Sequence, residues 1–207
     1  MPGITQLVFS IVAGCAILAI GGVLLSWGQP AVRIWPPPRG QSWQARASWI
    51  CIEITMLGPL LLGILDWNRW IVPGWLRVIA AVLMVPLGFG VGFVAMRRLT
   101  VSASFGMQGR LVTEGAYRVS RNPQCVAFIV GYVGFALLSN SFPTLVTVVL
   151  LGAELALSPM AEEPWLRERY GQAYVDYASR VPRFIGVRRA VTVSAADDAS
   201  VAGRSVR

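Results

Sequence analysis

Histidine is absent from all 207 residues, and so is lysine. Without imidazole there is no histidine general base, no histidine metal ligand and no Ser-His-Asp triad. The three cysteines, Cys15, Cys51 and Cys125, stand far apart, and the first two lie inside hydrophobic runs. They form neither a zinc spacing nor a disulfide framework, so no metal is expected. All 18 basic residues are therefore arginines, set against 10 acids for a net charge of +8. Charge as a whole is scarce: 14% of residues carry it, 55% are hydrophobic, and mean hydropathy is +0.60. A soluble domain of this size needs far less apolar surface, which implies an integral membrane protein. Basic charge in such a chain reports positive-inside topology and contact with anionic membrane lipids, and nucleic acid is not an expected partner.

What is present is a series of apolar runs. The first, residues 4–27, is uncharged, lacks the positive start of a signal peptide and is long enough to span. A loop over 28–46 carries Arg33, Arg39, Arg46 and the rigid Pro36-Pro37-Pro38. A second span is predicted over Ser48–Leu65, with Pro59 inside it, and an interfacial turn over Asp66–Trp70. The third covers about Val72–Ala95, followed by a polar segment over 97–124. Runs at 125–138 and 143–158 are joined by Ser139-Asn140-Ser141-Phe142-Pro143 and read as a helical hairpin, the first arm being short for a full span. The expectation is an all-α membrane protein of about five transmembrane helices, the last two a hairpin, ending in a cytoplasmic helical segment. Its divisions are transmembrane helices over 1–96, a functional core over 97–186 and a disordered tail over 187–207. Five spans put nearly all the arginines on one face, giving an external N-terminus and a cytoplasmic C-terminus. The arginine-only usage suggests a GC-rich bacterial coding bias, and hence a bacterial inner membrane.

Polar chemistry is concentrated in two segments around that hairpin. The first is GRLVTEGAYRVSRNPQC, residues 109–125. Pro123 suits the first turn of a helix, whose free N–H groups favour a carboxylate or phosphate. Arg118 and Arg121 reinforce that preference, and they equally fit a role as headgroup anchors. The second is AEEPWLRERYGQAYVDYASRVPRF, residues 161–184. Glu162 and Glu163 suit the start of a helix over 164–170, a cationic ligand, or pairing with Arg118 or Arg121. Tyr170, Tyr174 and Tyr177 share a helix face, with Gly171 as a break, and read as an interfacial or lid-like stripe. Two further acids, Glu53 and Glu154, lie in or near spans, where ionisable groups are costly. An ion pair with the arginine-rich loop accounts for Glu53, and Glu154 extends the polar face of the acidic pair.

In that order around a hairpin, LVTEGAYRVSRNP and EEPWLRERYGQAYVDYASRVPRF resemble the isoprenylcysteine carboxyl methyltransferase and phospholipid methyltransferase family. The resemblance covers residues 109–186. It implies a membrane enzyme that moves a methyl group from S-adenosylmethionine to a lipophilic or small hydrophobic acceptor bearing a carboxylate, thiol or lipid headgroup. The cofactor pocket it implies falls on Tyr117, Arg118, Arg121, Asn122, Pro123, Cys125, Glu162 and Glu163. Arg121, Glu163 and Arg183 would carry catalysis, Arg183 from the Val181-Pro182-Arg183 segment that would border the acceptor. Three positions depart from the family pattern: Asn122 replaces its histidine, Cys125 its tyrosine and Ala127 its following glycine. Asn122 keeps a donor for a carboxylate. Holding donor and acceptor aligned and dry is worth about 7–11 kcal/mol in favourable cases. An amine or thiol acceptor needs a base that the sequence does not name. Two alternatives stand beside this reading: an NADPH-dependent membrane reductase of the sterol-reductase type, and a homologue that has lost catalysis.

Overall fold

The protein is described by a computed structural model covering residues 2–29, 31–69, 74–98 and 111–186. Most of the predicted polar segment before residue 111 and the tail over 187–207 lie outside these residues. Among the described residues every regular element is helical. They are α1 (Pro2–Gly28), α2 (Trp43–Leu65), α3 (Trp75–Arg98), a 3-10 turn (Gly115–Arg118), α4 (Pro123–Ser139), α5 (Phe142–Tyr170) and α6 (Gln172–Arg180). Four of them, α1, α2, α3 and α5, are long and apolar enough to cross a membrane; α4 is a shorter apolar helix. Their outer faces expose large aliphatic side chains such as Leu7, Leu18, Leu57 and Leu83, as expected of surfaces that meet lipid. The all-helical, membrane-spanning architecture read from the sequence is the one observed.

Boundaries differ in two instructive places. Helix α2 starts at Trp43, five residues before the predicted Ser48, because the Ser42 hydroxyl accepts the Ala45 N–H and caps the helix earlier. No separate helix begins at Pro164. Instead α5 runs unbroken through Pro159 and Pro164 to Tyr170, where Gly171, with φ 55°, ends it. Glu162 and Glu163 thus sit well inside a long helix and do not cap a short one. Proline is tolerated there because neighbouring groups take up the freed backbone in a membrane helix.

Helix α5 is the hub: α1, α2 and α4 all pack on it, and α3 joins through α4. The α4–α5 turn is tight. Asn140 adopts a left-handed conformation (φ 48°), and Ser141 caps α5 by accepting the Thr144 N–H at 3.3 Å. A polar knot fixes this end. Arg77 donates to the Leu137 and Leu138 carbonyls at 3.1 and 3.0 Å and to Asn68 Oδ1 at 2.9 Å. Ser141 donates to Asp66 at 2.9 Å. Starting from that turn, 17-residue α4 climbs about 25 Å beside α5. Its N-terminus therefore arrives level with residues near Pro159–Glu163, which brings the two polar segments to one height.

The α3–α4 contact is the most extensive in the molecule and depends on missing side chains. A Cβ built on Gly88 would overlap the backbone nitrogen of Gly131, and one on Gly134 would press against Met84 and Val85. Small residues that let backbones approach are the usual means of joining helices in lipid. Above the crossing, Phe89 meets Tyr132 edge-on at 5.0 Å and Phe93 meets Phe128 at 5.5 Å. Gly88→Ala is expected to cost about 1–3 kcal/mol by forcing the backbones apart. The check is denaturant unfolding in mild detergent beside Gly90→Ala, whose added Cβ meets nothing within 4 Å. Equal stability of the two variants would refute the close-approach account.

Candidate functional site

At the level where α4 begins, three chain segments converge on one carboxylate. Glu163, buried on α5, takes Arg183 Nε on Oε1 at 2.6 Å and Arg183 Nη2 on Oε2 at 2.8 Å. Arg121 Nη1 reaches Oε1 at 2.9 Å, and Arg167, one turn along the helix, lies 4.0 Å from Oε2. The fork from Arg183 is bidentate, the strongest geometry available to a guanidinium and carboxylate. Glu163's hydrogen bonds hold the Arg183 guanidinium above its ordinary pKa. The same Arg121 nitrogen also donates to the Tyr174 hydroxyl at 3.2 Å.

Backbone bonds tie the converging segments together. The Arg121 N–H donates to the Pro182 carbonyl at 2.9 Å, and the Asn122 side-chain amide donates to the Arg183 carbonyl at 3.0 Å. Ser120 braces the same loop, donating to that carbonyl at 3.3 Å while accepting the Asn122 N–H at 3.1 Å. Asn122, expected to face a ligand carboxylate, thus has an amide N–H engaged in clasping residues 182–183.

Helix α6 folds over this cluster as a lid. Tyr174 and Tyr177 are buried and pack with Val181 against Leu111, Leu166 and Tyr170. Tyr177 donates its hydroxyl to the Tyr117 carbonyl at 2.7 Å, and Tyr117 donates to Gln124 at 2.9 Å. Burial raises the pKa of all three phenols, Glu163's charge adding to the effect at Tyr174, so they serve as neutral hydroxyls. Of the predicted stripe, Tyr174 and Tyr177 are therefore packed lid residues with hydrogen-bonded hydroxyls, and Tyr170 packs beside them from the end of α5.

Below the lid lies a cavity of about 750 Å³. Tyr117, Arg121, Asn122, Cys125, Glu162 and Glu163 line it at its polar end. Arg183 stands behind Glu163, Pro123 serves as the first residue of α4, and exposed Arg118 belongs to the 3-10 turn; none of these three is in the wall. Farther down the wall becomes apolar, with Met56, Leu60, Phe89, Phe93, Phe128 and Tyr132. Glu162, next to Glu163 in sequence, faces a different partner: Trp35 donates its indole N–H to Oε1 at 2.8 Å. Trp35 comes from the proline-rich loop, 127 residues away, and no local periodicity signals it. Two buried atoms in this wall have no hydrogen-bond partner among the described residues, Arg121 Nε and Glu154 Oε2. Glu53 is exposed on the rim, and the predicted ion pair with the arginine-rich loop is not found among the described residues.

Removing Glu163's charge leaves two guanidiniums facing each other beneath the lid. Glu163→Gln is expected to destabilise the protein by about 3 kcal/mol, the low end for breaking a buried pair because Arg183 is 35% exposed. Hydrogen exchange should show the loss concentrated at α6 and residues 181–184. Uniform protection equal to wild type would contradict the brace.

Part of the chain matches known proteins. Residues 76–173 match the family model described as phospholipid methyltransferase. The chain is 35% identical over 74 residues to protein-S-isoprenylcysteine O-methyltransferase B of Arabidopsis thaliana, an alignment covering 35% of this chain and 38% of that protein. The match thus spans little more than a third of that relative's length. No solved structure matches the chain. The stretch matched by that family model, residues 76–173, holds nearly all of α3, the α4–α5 hairpin and the acidic pair.

Proposed function

We propose that this chain is a membrane-embedded methyltransferase that uses S-adenosylmethionine and acts on a lipophilic acceptor drawn from the bilayer. The observation that carries this reading is the single cavity joining a charged interfacial end to an apolar wall at membrane depth. A polar cofactor and a lipophilic acceptor require such opposite surroundings within reach of one another.

The residues present fit the cofactor. Arg121 Nε is a buried donor without a partner among the described residues, suited to the cofactor's carboxylate and reinforced by the N-terminus of α4. Glu162 has no arginine partner among the described residues and receives only the Trp35 N–H, so its carboxylate suits the ammonium group. Glu163, already neutralised by Arg121 and Arg183, is a brace that fixes where Arg121 points. Cys125 supplies a compact wall where a tyrosine would have filled space. When bound, S-adenosylmethionine supplies an electrophilic methyl group on a sulfonium. The chain's own work is to fix the ligand's charged end through Arg121 and Glu162, and to exclude water with Trp35, Tyr174 and Tyr177.

In this reading residues 97–186 form the cofactor-binding core, while 1–96 contribute the apolar wall through Met56, Leu60, Phe89 and Phe93. The arginine distribution supports an external N-terminus and a cytoplasmic C-terminus in a bacterial inner membrane, where cytosolic S-adenosylmethionine reaches the polar end.

Calorimetric titration of the detergent-solubilised protein with S-adenosylmethionine should give roughly micromolar affinity, about −8 kcal/mol. Arg121→Ala and Glu162→Gln should each weaken it by about tenfold or more, the value of a charge-assisted hydrogen bond. Wild-type protein that binds neither the cofactor nor its demethylated product would rule the reading out.

A further inference from the structure

We propose that Trp35 is a positioning residue, aiming Glu162 at the cofactor's ammonium group through a relay that begins at Ser26 on α1. The inference deepens the function proposed above and rests on it for the cofactor. The relay itself consists of hydrogen bonds among the chain's own residues, and it starts at the far end of the sequence from the acid it serves.

The Ser26 hydroxyl is buried near the end of α1 and uses its whole capacity. It donates to the Gly22 carbonyl at 2.8 Å and accepts the Ile34 and Trp35 N–H groups at 2.9 Å each. Ile34 presses on α1 where Gly22 leaves room, since a Cβ there would come within 2.9 Å of its Cγ2. The Trp35 ring is buried and packs among Val23 of α1, Ile52 of α2, and Leu157 and Ala161 of α5. It also stands in the walls of both the main cavity and a second one of about 380 Å³, lined by α1 and α2. With its backbone tethered and its ring packed, the indole N–H is held on Glu162 Oε1 at 2.8 Å.

The kind of donor matters as much as its direction. Indole donates one neutral N–H, while a carboxylate has room for about four. An arginine in that place would aim the acid and also neutralise it, as Arg121 and Arg183 do to Glu163. Arg33, two residues earlier in the same loop, is turned aside. Its Nε donates to the Pro36 carbonyl at 3.2 Å, and its guanidinium lies over the Trp165 ring at 5.7 Å. Glu162 is thus fixed in direction with no arginine laid against it among the described residues, the condition for receiving a ligand's cation. A glutamate left unaimed would lose its rotamer freedom only when the ligand arrives, and affinity would fall by that cost.

The test is calorimetric titration of full-length protein in mild detergent with two ligands: S-adenosylhomocysteine, and an analogue carrying hydrogen in place of its ammonium group. Wild type should prefer the first. Trp35→Phe, which keeps a ring and removes the N–H, should weaken S-adenosylhomocysteine about tenfold and leave the analogue unchanged. Ser26→Ala, at the head of the relay, should act in the same selective way. It serves as the deciding variant if Trp35→Phe fails to fold, which loss of analogue binding would reveal. In a Glu162→Gln background, Trp35→Phe should add nothing, since the two act as one unit. A tryptophan that merely supports the fold would weaken both ligands alike. That result, or variants that bind S-adenosylhomocysteine as wild type does, would overturn the proposal while leaving cofactor binding in place. Wild type that binds neither ligand would remove the proposed function and this inference with it.

Discussion

The structure turns on the neutralisation of Glu163. A carboxylate in the last third of a long membrane helix is tolerable only if cations come to it, and two arrive from opposite sides of the sequence. Arg121 comes from the segment that enters α4, and Arg183 from the loop that leaves α6. Each brings its backbone along: Pro182 and Arg183 offer carbonyls to Arg121 and Asn122. The lid then follows, since α6 lies between the fixed points Glu163 and Arg183 and has little freedom except to fold over the cavity. Tyr174 and Tyr177 close it with hydroxyls already matched to the groups beneath.

That meeting depends on a length mismatch. α4 has 17 residues and α5 has 29, and both are anchored at the same polar turn. Equal helices would carry residues 117–122 past the acidic pair, toward Arg167–Tyr170. The short arm stops level with Glu163 because Pro123 opens it and Ser139 closes it. The remaining turns of α5 project beyond α4 as a wall for the lid. The apolar run lengths make the short arm visible in sequence. The continuation of α5 is not visible, because Pro159, Pro164 and two adjacent acids read as an interruption in any local pattern. In lipid, packing and tertiary hydrogen bonds override that local preference.

Much of the fold was therefore legible. Run lengths and charge placement identify the spans and the hairpin, and two polar segments of distinctive spacing mark the candidate site. The pairing was not. Residue types leave open whether the acidic pair caps a helix, holds a cation or meets Arg118 or Arg121. The structure gives Glu163 to Arg121 and Arg183, and leaves Arg118 exposed. Trp35 was out of reach altogether, since its bond to Glu162 links a proline-rich loop to a helix with nothing local to predict it. Asn122 shows how an altered motif residue acquires a different partner: its amide secures a loop carbonyl.

One helix carries three acids into the same chamber and gives each a different chemistry. Adjacent residues on a helix diverge by about 100°, so Glu162 and Glu163 face different neighbours despite sharing a peptide bond. Glu163 meets guanidiniums and becomes structural. Glu162 meets an indole N–H, which satisfies one oxygen and brings no positive charge. Glu154, two turns deeper, meets hydrocarbon and a threonine, and keeps an oxygen with no partner among the described residues. Unmet demand thus increases from the braced interface toward the membrane interior. Glu163 takes up Arg121 and Arg183, and neither Glu162 nor Glu154 has an arginine partner among the described residues.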